Sequence, residues 1–384
     1  MDDAPGRGGG SQAIAFIDLQ AQRRRIGPRL DAAIAAVLAH GQFILGPEVR
    51  ALEEALARHC GAAHAVTCSN GTDALLLALM ALGAGRGDAV FVPAYTFAAT
   101  AEAVALAGAT PVLVDCQRGS ATMDPQSLAA AIEATDRGGS LRPAGIIPVD
   151  LFGQPADYPA IGAVAARHGL WILADAAQSY GGALNGKRVG TLARATATSF
   201  FPSKPLGCYG DGGAVLTDDP ALAALLRSLQ QHGRGSGKHE HLRIGLNARL
   251  DTLQAAILLE KLAILDDELA ARDAVAARYA AGLGDVATVP TPPPGLRSAW
   301  ALYAVQVTDR ARAAARLEEA GVPTRVYYER PLHRQPAYRD FPCAPGGLAQ
   351  SDALAEQALC LPMHPYLEAD AQDRVIAAVR KAVA

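Results

Sequence analysis

Lys204 sits in the stretch SFFPSKPLGCYGDGG (residues 199–213), among two phenylalanines, two prolines, a tyrosine and several small residues. A lysine amine surrounded by apolar side chains loses hydration and its pKa falls. The neutral amine is then a nucleophile able to form a Schiff base with a carbonyl. A lysine snorkelling out of a surface loop is the plainer alternative. Ser199 lies five residues before it, and three further segments carry groups that complement such an amine. SNGTDAL (69–75) puts Ser-Asn-Gly-Thr at the head of an apolar run. Free backbone N–H groups and hydroxyls there would cradle an anion, or would simply cap a helix. Asp175 ends the apolar run of LWILADAAQS, with Gln178 three residues on. A carboxylate in that position needs a cationic partner if buried, or else caps a helix. Asn247, in RIGLNARLDTLQAAI, is expected to open a long helix, where a cap or turn role is the alternative. GAGRGD (83–88) follows a helical segment and precedes a strand, the wrong order for a dinucleotide site.

Each segment is ordinary by itself; together they describe a ligand. An anion cradle, a strand-end carboxylate, a desolvated lysine and an aromatic in PAYTFAAT (Tyr95 or Phe97) are the parts that pyridoxal phosphate requires. The phosphate takes the helix N-terminus, the pyridine nitrogen a carboxylate, the aldehyde a lysine, and the ring face a flat apolar side chain.

Such groups lie far apart in the chain, so a scaffold must gather them. FIDLQAQRRRIGPRLDAAIAAVLAHGQFILGPEVRALEEALARHCG reads as two helices separated at GQFILGP. Their apolar faces carry Ile34, Val37 and Leu38, then Val49, Leu52 and Leu56, and Pro47 suits the first turn of the second. Strands are expected in HAVTCS, DAVFVPAY, TPVLVDC, GIIPVDLFG, LWILADAAQS, ATATSFF and GAVLTD, and helices in SNGTDALLLALMALGAG, TFAATAEAVALAG and YPAIGAVAARHG. Apolar strands alternating with helices imply a parallel or mixed sheet covered on both faces, with ligands at the carboxyl ends of the strands. Beyond about residue 220 long helices take over. VATVPTPPPG reads as an extended connector, ALYAVQVTD and TRVYYERP as strands, ARAAARLEEAG as a helix, and a last helix starts near Asp370.

The 384 residues exceed what one core accommodates. The expected division is a disordered Gly-rich leader (1–13), a large α/β domain (14–265) and a small α+β domain (266–384). A net charge of −3 leaves no electrostatic footprint for nucleic acid or anionic lipid. The six cysteines form no CxxC pair, as expected of reduced thiols in a cytoplasmic protein. No run of 18 apolar residues occurs, and the leader lacks a cationic start followed by an apolar stretch, so the protein is expected to stay where it is made.

From FIDLQAQ at residue 16 to the C-terminal helix, the chain resembles the sugar aminotransferases of the DegT/DnrJ/StrS family. The marks are ILGPEV, SNGTDAL, PAYTF, PVDLFGQ, DAAQSYG, SFFPSKPLGCYGDGG, LNARLDTLQAAI and LPMHPYL. The resemblance implies a fold-type I pyridoxal-phosphate enzyme with a central, mostly parallel seven-stranded sheet. It implies Lys204 as Schiff-base former and proton shuttle, Asp175 on the pyridine nitrogen, Gln178 on the ring hydroxyl and Phe97 stacked on the ring. Gly71, Thr72 and Ser199 would hold the phosphate, and Asn247 would reach across a homodimer interface to the neighbour's site. SFFPSKPLGCYGDGG and NARLDTLQAAILLEKL are especially similar to enzymes that use glutamate to aminate the 3-keto position of a UDP-linked N-acetylhexosaminuronic acid for bacterial O-antigen. UDP- or dTDP-linked keto-6-deoxy sugars are the alternative substrates. A uronate needs an extra cation, for which Arg249, Arg243 and Arg234 are candidates beside a surface role. In TRVYYERPLHRQPAY the family usually has His where this chain has Tyr327, followed by a tyrosine as here (Tyr328), and both are candidate substrate contacts. The dehydratase branch replaces the lysine with histidine, so Lys204 argues against it. A non-catalytic sensor of nucleotide-sugars is the remaining alternative, against which the cofactor motifs stand unbroken.

Overall fold

The computed structural model describes residues 13–237 and 239–384, so the leader expected over 1–13 lies outside the described residues save Ala13. Its first part runs α1 (Leu19–His40), α2 (Pro47–Cys60), β1 (His64–Cys68), α3 (Gly71–Leu82), β2 (Asp88–Pro93), α4 (Ala99–Leu106), β3 (Thr110–Val114), α5 (Pro125–Gly138), β4 (Arg142–Ile146), α6 (Tyr158–His168) and β5 (Trp171–Asp175). Two-residue strands β6 (Ala183–Leu184) and β7 (Lys187–Arg188) precede β8 (Ala195–Ser199), β9 (Gly213–Thr217), α7 (Pro220–Leu229), α8 (Thr252–Leu262) and α9 (Leu265–Leu283). The remainder is β10 (Leu296–Arg297), β11 (Tyr303–Gln306), α10 (Arg310–Glu319), α11 (Ala349–Gln357), β12 (Ala358–Leu361) and α12 (Ala369–Val383).

Seven strands form one sheet in the order β1-β9-β8-β5-β4-β2-β3. All run parallel except β9, which is antiparallel to both neighbours. The exception has a local cause. Residues 200–212 join β8 to β9 without a helix, and a parallel crossover needs one to span the sheet. The carboxyl ends of β1, β2, β5 and β8 therefore share one edge. β2 and β9 are buried along their whole length and β1 and β8 nearly so, which matches helices on both faces. α3 is apolar around most of its circumference because it packs against the sheet, α4 and α7 at once.

A second core gathers Val275 and Tyr279 of α9, Tyr303 and Val305 of β11, Leu317 of α10, Val375 and Val379 of α12, and Ile14 from the other end of the chain. β11 and β12 pair antiparallel above it. Helix α9 is shared: Leu265 and Leu269 pack in the core of α2 and α8, while its later turns belong to the second core.

Several expected elements differ. α5 and α11 were not anticipated; α5 is announced by Asp124, whose side chain accepts from Gln126 N–H, with Pro125 at the first helical position. In GIIPVDLFG only Gly145 and Ile146 belong to a strand. Pro148 has no N–H for the ladder, and the chain turns through a 3-10 turn at Leu151–Gly153. TRVYYERP is not a strand, because only Arg325 pairs with a neighbour, Cys360. Asn247 does not open α8. It lies in an extended segment bridged to Gln231, with Ala248 N–H donating to Gln230 O, and Asp251 is the residue that precedes the helix.

His364, 3% exposed, packs near the Arg272 guanidinium. Burial first, and that neighbouring charge second, push its imidazole down to about 4 from the ordinary 6.5. The unfolded chain therefore binds the extra proton between these values, and stability falls as pH drops through that window. From pH 7 to 4.5 the wild type is expected to lose about 2–3 kcal/mol more unfolding free energy than His364→Gln, read by urea titration. Equal losses would mean that the imidazole titrates normally.

Candidate active site

Ser199 is the last residue of β8, and Phe200 behind it is fully buried. Phe200 anchors the following loop: its N–H donates to Gly212 O (2.7 Å) and its carbonyl accepts from Cys208 N–H (2.8 Å). Lys204 N–H donates to Phe201 O (2.9 Å), closing a tight turn that aims the side chain at the shared strand edge. From below, α8 holds the loop. Gln254 accepts from Tyr209 N–H and donates to Tyr209 O, and buried Lys261 donates to Gly207 O (2.7 Å). Burial lowers the Lys204 amine to about 8 from 10.5, although Asp175 nearby favours its charge.

Asp175 closes β5 and is 5% exposed. Its carboxylate accepts from Thr100 Oγ1 (2.8 Å) at the head of α4 and from Ala177 N–H (3.2 Å). Burial pushes its pKa up; the two hydrogen bonds and Lys204 act against this. Gln178 accepts from Phe152 N–H (2.6 Å) through Oε1, which turns Nε2 outward, 3.5 Å from the Tyr328 hydroxyl. The loop carrying both residues is tied down by Asp150, fully buried, which accepts from Ser179 Oγ, Ala156 N–H and Tyr158 OH. Burial lifts the Asp150 carboxyl to about 7 despite these donors.

The first turn of α3 faces Ser199. A Cβ added at Gly71 would lie 2.7 Å from the Ser199 Cβ, so only glycine admits the approach. Likewise Gly213 at the start of β9 lies under Asn70 O, 2.4 Å from where its own Cβ would be. Asn70 caps α3 by accepting from Asp73 N–H (2.8 Å), and the Asp73 carboxylate accepts from Ser69 and Asn70 side chains. This leaves the Gly71–Thr72 end of the helix and the Ser199 hydroxyl around one concavity.

A cavity of about 610 Å³ is lined by Gly71, Thr72, Phe97, Asp175, Gln178, Ser199, Lys204, Tyr327 and Tyr328, among others. Phe97 stands at its mouth, 59% exposed, with its ring 5.9 Å from that of Tyr328. Asn247, Arg249, Arg243 and Arg234 do not line it: all four belong to the 231–249 segment, where Asn247 and Arg243 are exposed. Arg243 donates to Ser228 Oγ (2.5 Å), and the Arg249 Nε is buried without a hydrogen-bond partner among the described residues. Lys204 is the one cation among the residues lining the cavity. Thr100 and Asp150 carry no signal in the sequence, and Tyr95, weighed there with Phe97 as the aromatic plate, instead points its hydroxyl at the Tyr327–Tyr328 backbone. PVDLFGQ was visible as a motif, but nothing local marks its aspartate as the tie for a loop 25 residues on.

The donor set fits pyridoxal phosphate: a helix N-terminus with a hydroxyl opposite, a buried carboxylate, a deep amine of lowered pKa and an exposed aromatic ring. A model of the DegT/DnrJ/EryC1/StrS aminotransferase family matches residues 24–380. The UDP-2-acetamido-2-deoxy-3-oxo-D-glucuronate aminotransferase of Pseudomonas aeruginosa is 49% identical over 357 residues, 92% of this chain and 96% of that one. The crystal structure of a DegT DnrJ EryC1 StrS aminotransferase from Brucella abortus superposes with TM-score 0.95 at 52% identity, covering 96% of this chain and 99% of that one. Bacillus subtilis NtdA, solved with bound cofactor PMP, matches with TM-score 0.85 at 30% identity over 96% of this chain and 83% of its own. Nearly the whole chain is thus covered by sequence and by fold, and the protein belongs to the DegT/DnrJ/EryC1/StrS family of pyridoxal-phosphate-dependent aminotransferases.

Proposed function

We propose that this protein transfers the amino group of L-glutamate to the 3-keto carbon of UDP-2-acetamido-2-deoxy-3-oxo-D-glucuronate, supplying an amino-uronate for bacterial O-antigen in the cytoplasm. The observation that carries this reading is the 49% identity to the Pseudomonas aeruginosa enzyme, together with a cavity holding both Lys204 and Asp175. Bound pyridoxal phosphate supplies an aldehyde that takes up amines and a ring that withdraws electrons. The chain supplies the rest. Lys204 would hold the aldehyde at rest and, as a free amine with a pKa near 8, would carry the proton to and from the reacting carbon. Asp175 would hold the ring nitrogen's proton, Gln178 the ring hydroxyl, Phe97 the ring face, and Gly71, Thr72 and Ser199 the phosphate. Tyr327 and Tyr328 wall the substrate side.

The same reading includes a homodimer. Asn247 is exposed and outside its own cavity, the neighbouring Leu242 and Ile244 are 58% and 87% exposed, and Phe43 and Ile44 lie exposed between α1 and α2. Such apolar surface suits a second copy, whose Asn247 would complete the phosphate site. Arg249, Arg243 or Arg234 would bring the cation that the uronate needs and that a single chain's cavity lacks. No helix among the described residues is long and apolar enough to cross a membrane.

The test runs the reaction backwards, offering UDP-linked 3-amino-uronate, the matching 6-deoxy sugar and a dTDP-linked 3-amino sugar with 2-oxoglutarate as acceptor. The uronate is expected to be favoured in kcat/KM by ~10- to 100-fold, the discrimination of one charge-assisted hydrogen bond. A preference for either 6-deoxy sugar would overturn the substrate, though not the reaction class.

A further inference from the structure

The cavity's substrate side is built from a segment with no ladder of its own. Between Arg325, which pairs with Cys360, and Pro331, no residue makes a backbone–backbone hydrogen bond among the described residues. Yet Tyr327 and Tyr328 hold defined positions on the cavity wall. One group outside the segment explains this. Tyr95 follows β2 on the sheet edge and is fully buried. Its hydroxyl donates to Tyr327 O (2.5 Å) and accepts from Tyr328 N–H (3.0 Å). Next to it, Ala94 O accepts from Leu332 N–H (2.8 Å), pinning the segment's far end to the same loop. The Tyr95 ring also meets Tyr328 edge-on at 6.3 Å. Burial keeps the phenol protonated well above its ordinary range, so both hydrogen bonds persist at any working pH.

We infer that Tyr95 is a positioning residue whose hydroxyl fixes Tyr327 and Tyr328 over the cavity and thereby sets recognition of the larger, sugar-bearing substrate. The inference rests on the aminotransferase reading. Tyr95 touches neither the amine nor the carboxylate of the reaction centre, and its hydrogen bonds end on the tyrosine pair. Loss of the hydroxyl frees that pair and leaves Lys204, Asp175 and Thr100 in place. A rigid wall lowers the ordering that a substrate must otherwise impose on binding.

The experiment compares holoenzyme with Tyr95→Phe, which keeps the ring. The glutamate half-reaction, followed as bleaching of the visible cofactor band, is expected to stay within about twofold, while KM for the UDP-linked amino-sugar rises about tenfold. Hydrogen exchange of the peptide containing Tyr328 should accelerate in the variant. An unchanged sugar KM, equal slowing of both half-reactions, or unchanged exchange overturns the inference. If Tyr95→Phe does not accumulate as folded protein, Tyr327→Ala takes its place: it removes a cavity wall while keeping the peptide that Tyr95 grips. A tenfold sugar KM rise without faster exchange supports the arrangement; an unchanged KM overturns it. Wild-type protein that glutamate does not bleach would instead sink the aminotransferase reading, with the exchange comparison still reporting on Tyr95.

Discussion

Lys204→Ala is expected to abolish turnover, with a loss of at least about 10⁴-fold, because the proposed function assigns Lys204 both the covalent anchoring and the proton transfer. The reason lies in the surroundings of the amine. Burial brings its pKa down to about 8, so a substantial neutral fraction exists near physiological pH where an ordinary lysine has almost none. Borohydride reduction of the wild-type holoenzyme should leave the cofactor's mass on the peptide carrying Lys204, and the rate at which the apoenzyme captures added cofactor should rise with pH about a midpoint near 8 rather than 10.5. Lys261 is the internal control. Its amine is also lowered to about 8 by burial, but it donates to Gly207 O and lies 4.1 Å over the Tyr209 ring, outside the residues that line the cavity. Low pKa without access should leave Lys261 unlabelled. Retained activity in Lys204→Ala, or labelling centred on Lys261, would contradict the site.

Asp175→Asn should slow the reaction by about 10²–10⁴-fold while leaving the fold intact. The carboxylate matters as a charge held in a buried site, where low local dielectric strengthens its hold on a ring proton. An amide of the same shape cannot hold that proton. It can still satisfy its neighbours: Oδ1 can accept from Ala177 N–H, and Nδ2 can donate to Thr100 Oγ1, whose hydroxyl is free to donate to Thr96 Oγ1, 3.1 Å away. The melting temperature is therefore expected to move by no more than about 5 °C. Stopped-flow bleaching by glutamate separates the two effects. A near-normal rate would mean that another group keeps the ring protonated, and a large drop in melting temperature would mean that Asp175 is chiefly structural.

Much of the site was legible because each principal group follows a strand that announces itself. HAVTCS leads into Gly71 and Thr72, LWILAD ends on Asp175, and ATATS ends on Ser199 just before Lys204. Strand runs of this kind are read from local apolar character, and in a parallel sheet their carboxyl ends must converge. Elements governed by distant partners were not legible. TRVYYERP has the β-branched and aromatic content of a strand, yet past the single Arg325–Cys360 bridge its Tyr327 and Tyr328 backbone groups bond to the Tyr95 hydroxyl instead of a ladder. Asn247 looks like a helix cap, but backbone contacts to Gln230 and Gln231 hold it extended until Asp251. Pro148 cut short a strand that apolar content alone extended to residue 153.

The alternation of strands and helices, and the amine, carboxylate and Ser-Asn-Gly-Thr run of the candidate site, could be read from the chain because each depends on residues adjacent in it. The tertiary structure alone decided how those groups are held. Thr100 and Asp150 orient the Asp175 loop, Gln254 and Lys261 brace the Lys204 turn, and Tyr95 fixes the tyrosine wall across 232 residues of chain. Hydrogen bonds between residues so far apart leave no periodicity or spacing to read; they exist only once the sheet has brought its strand ends to one edge.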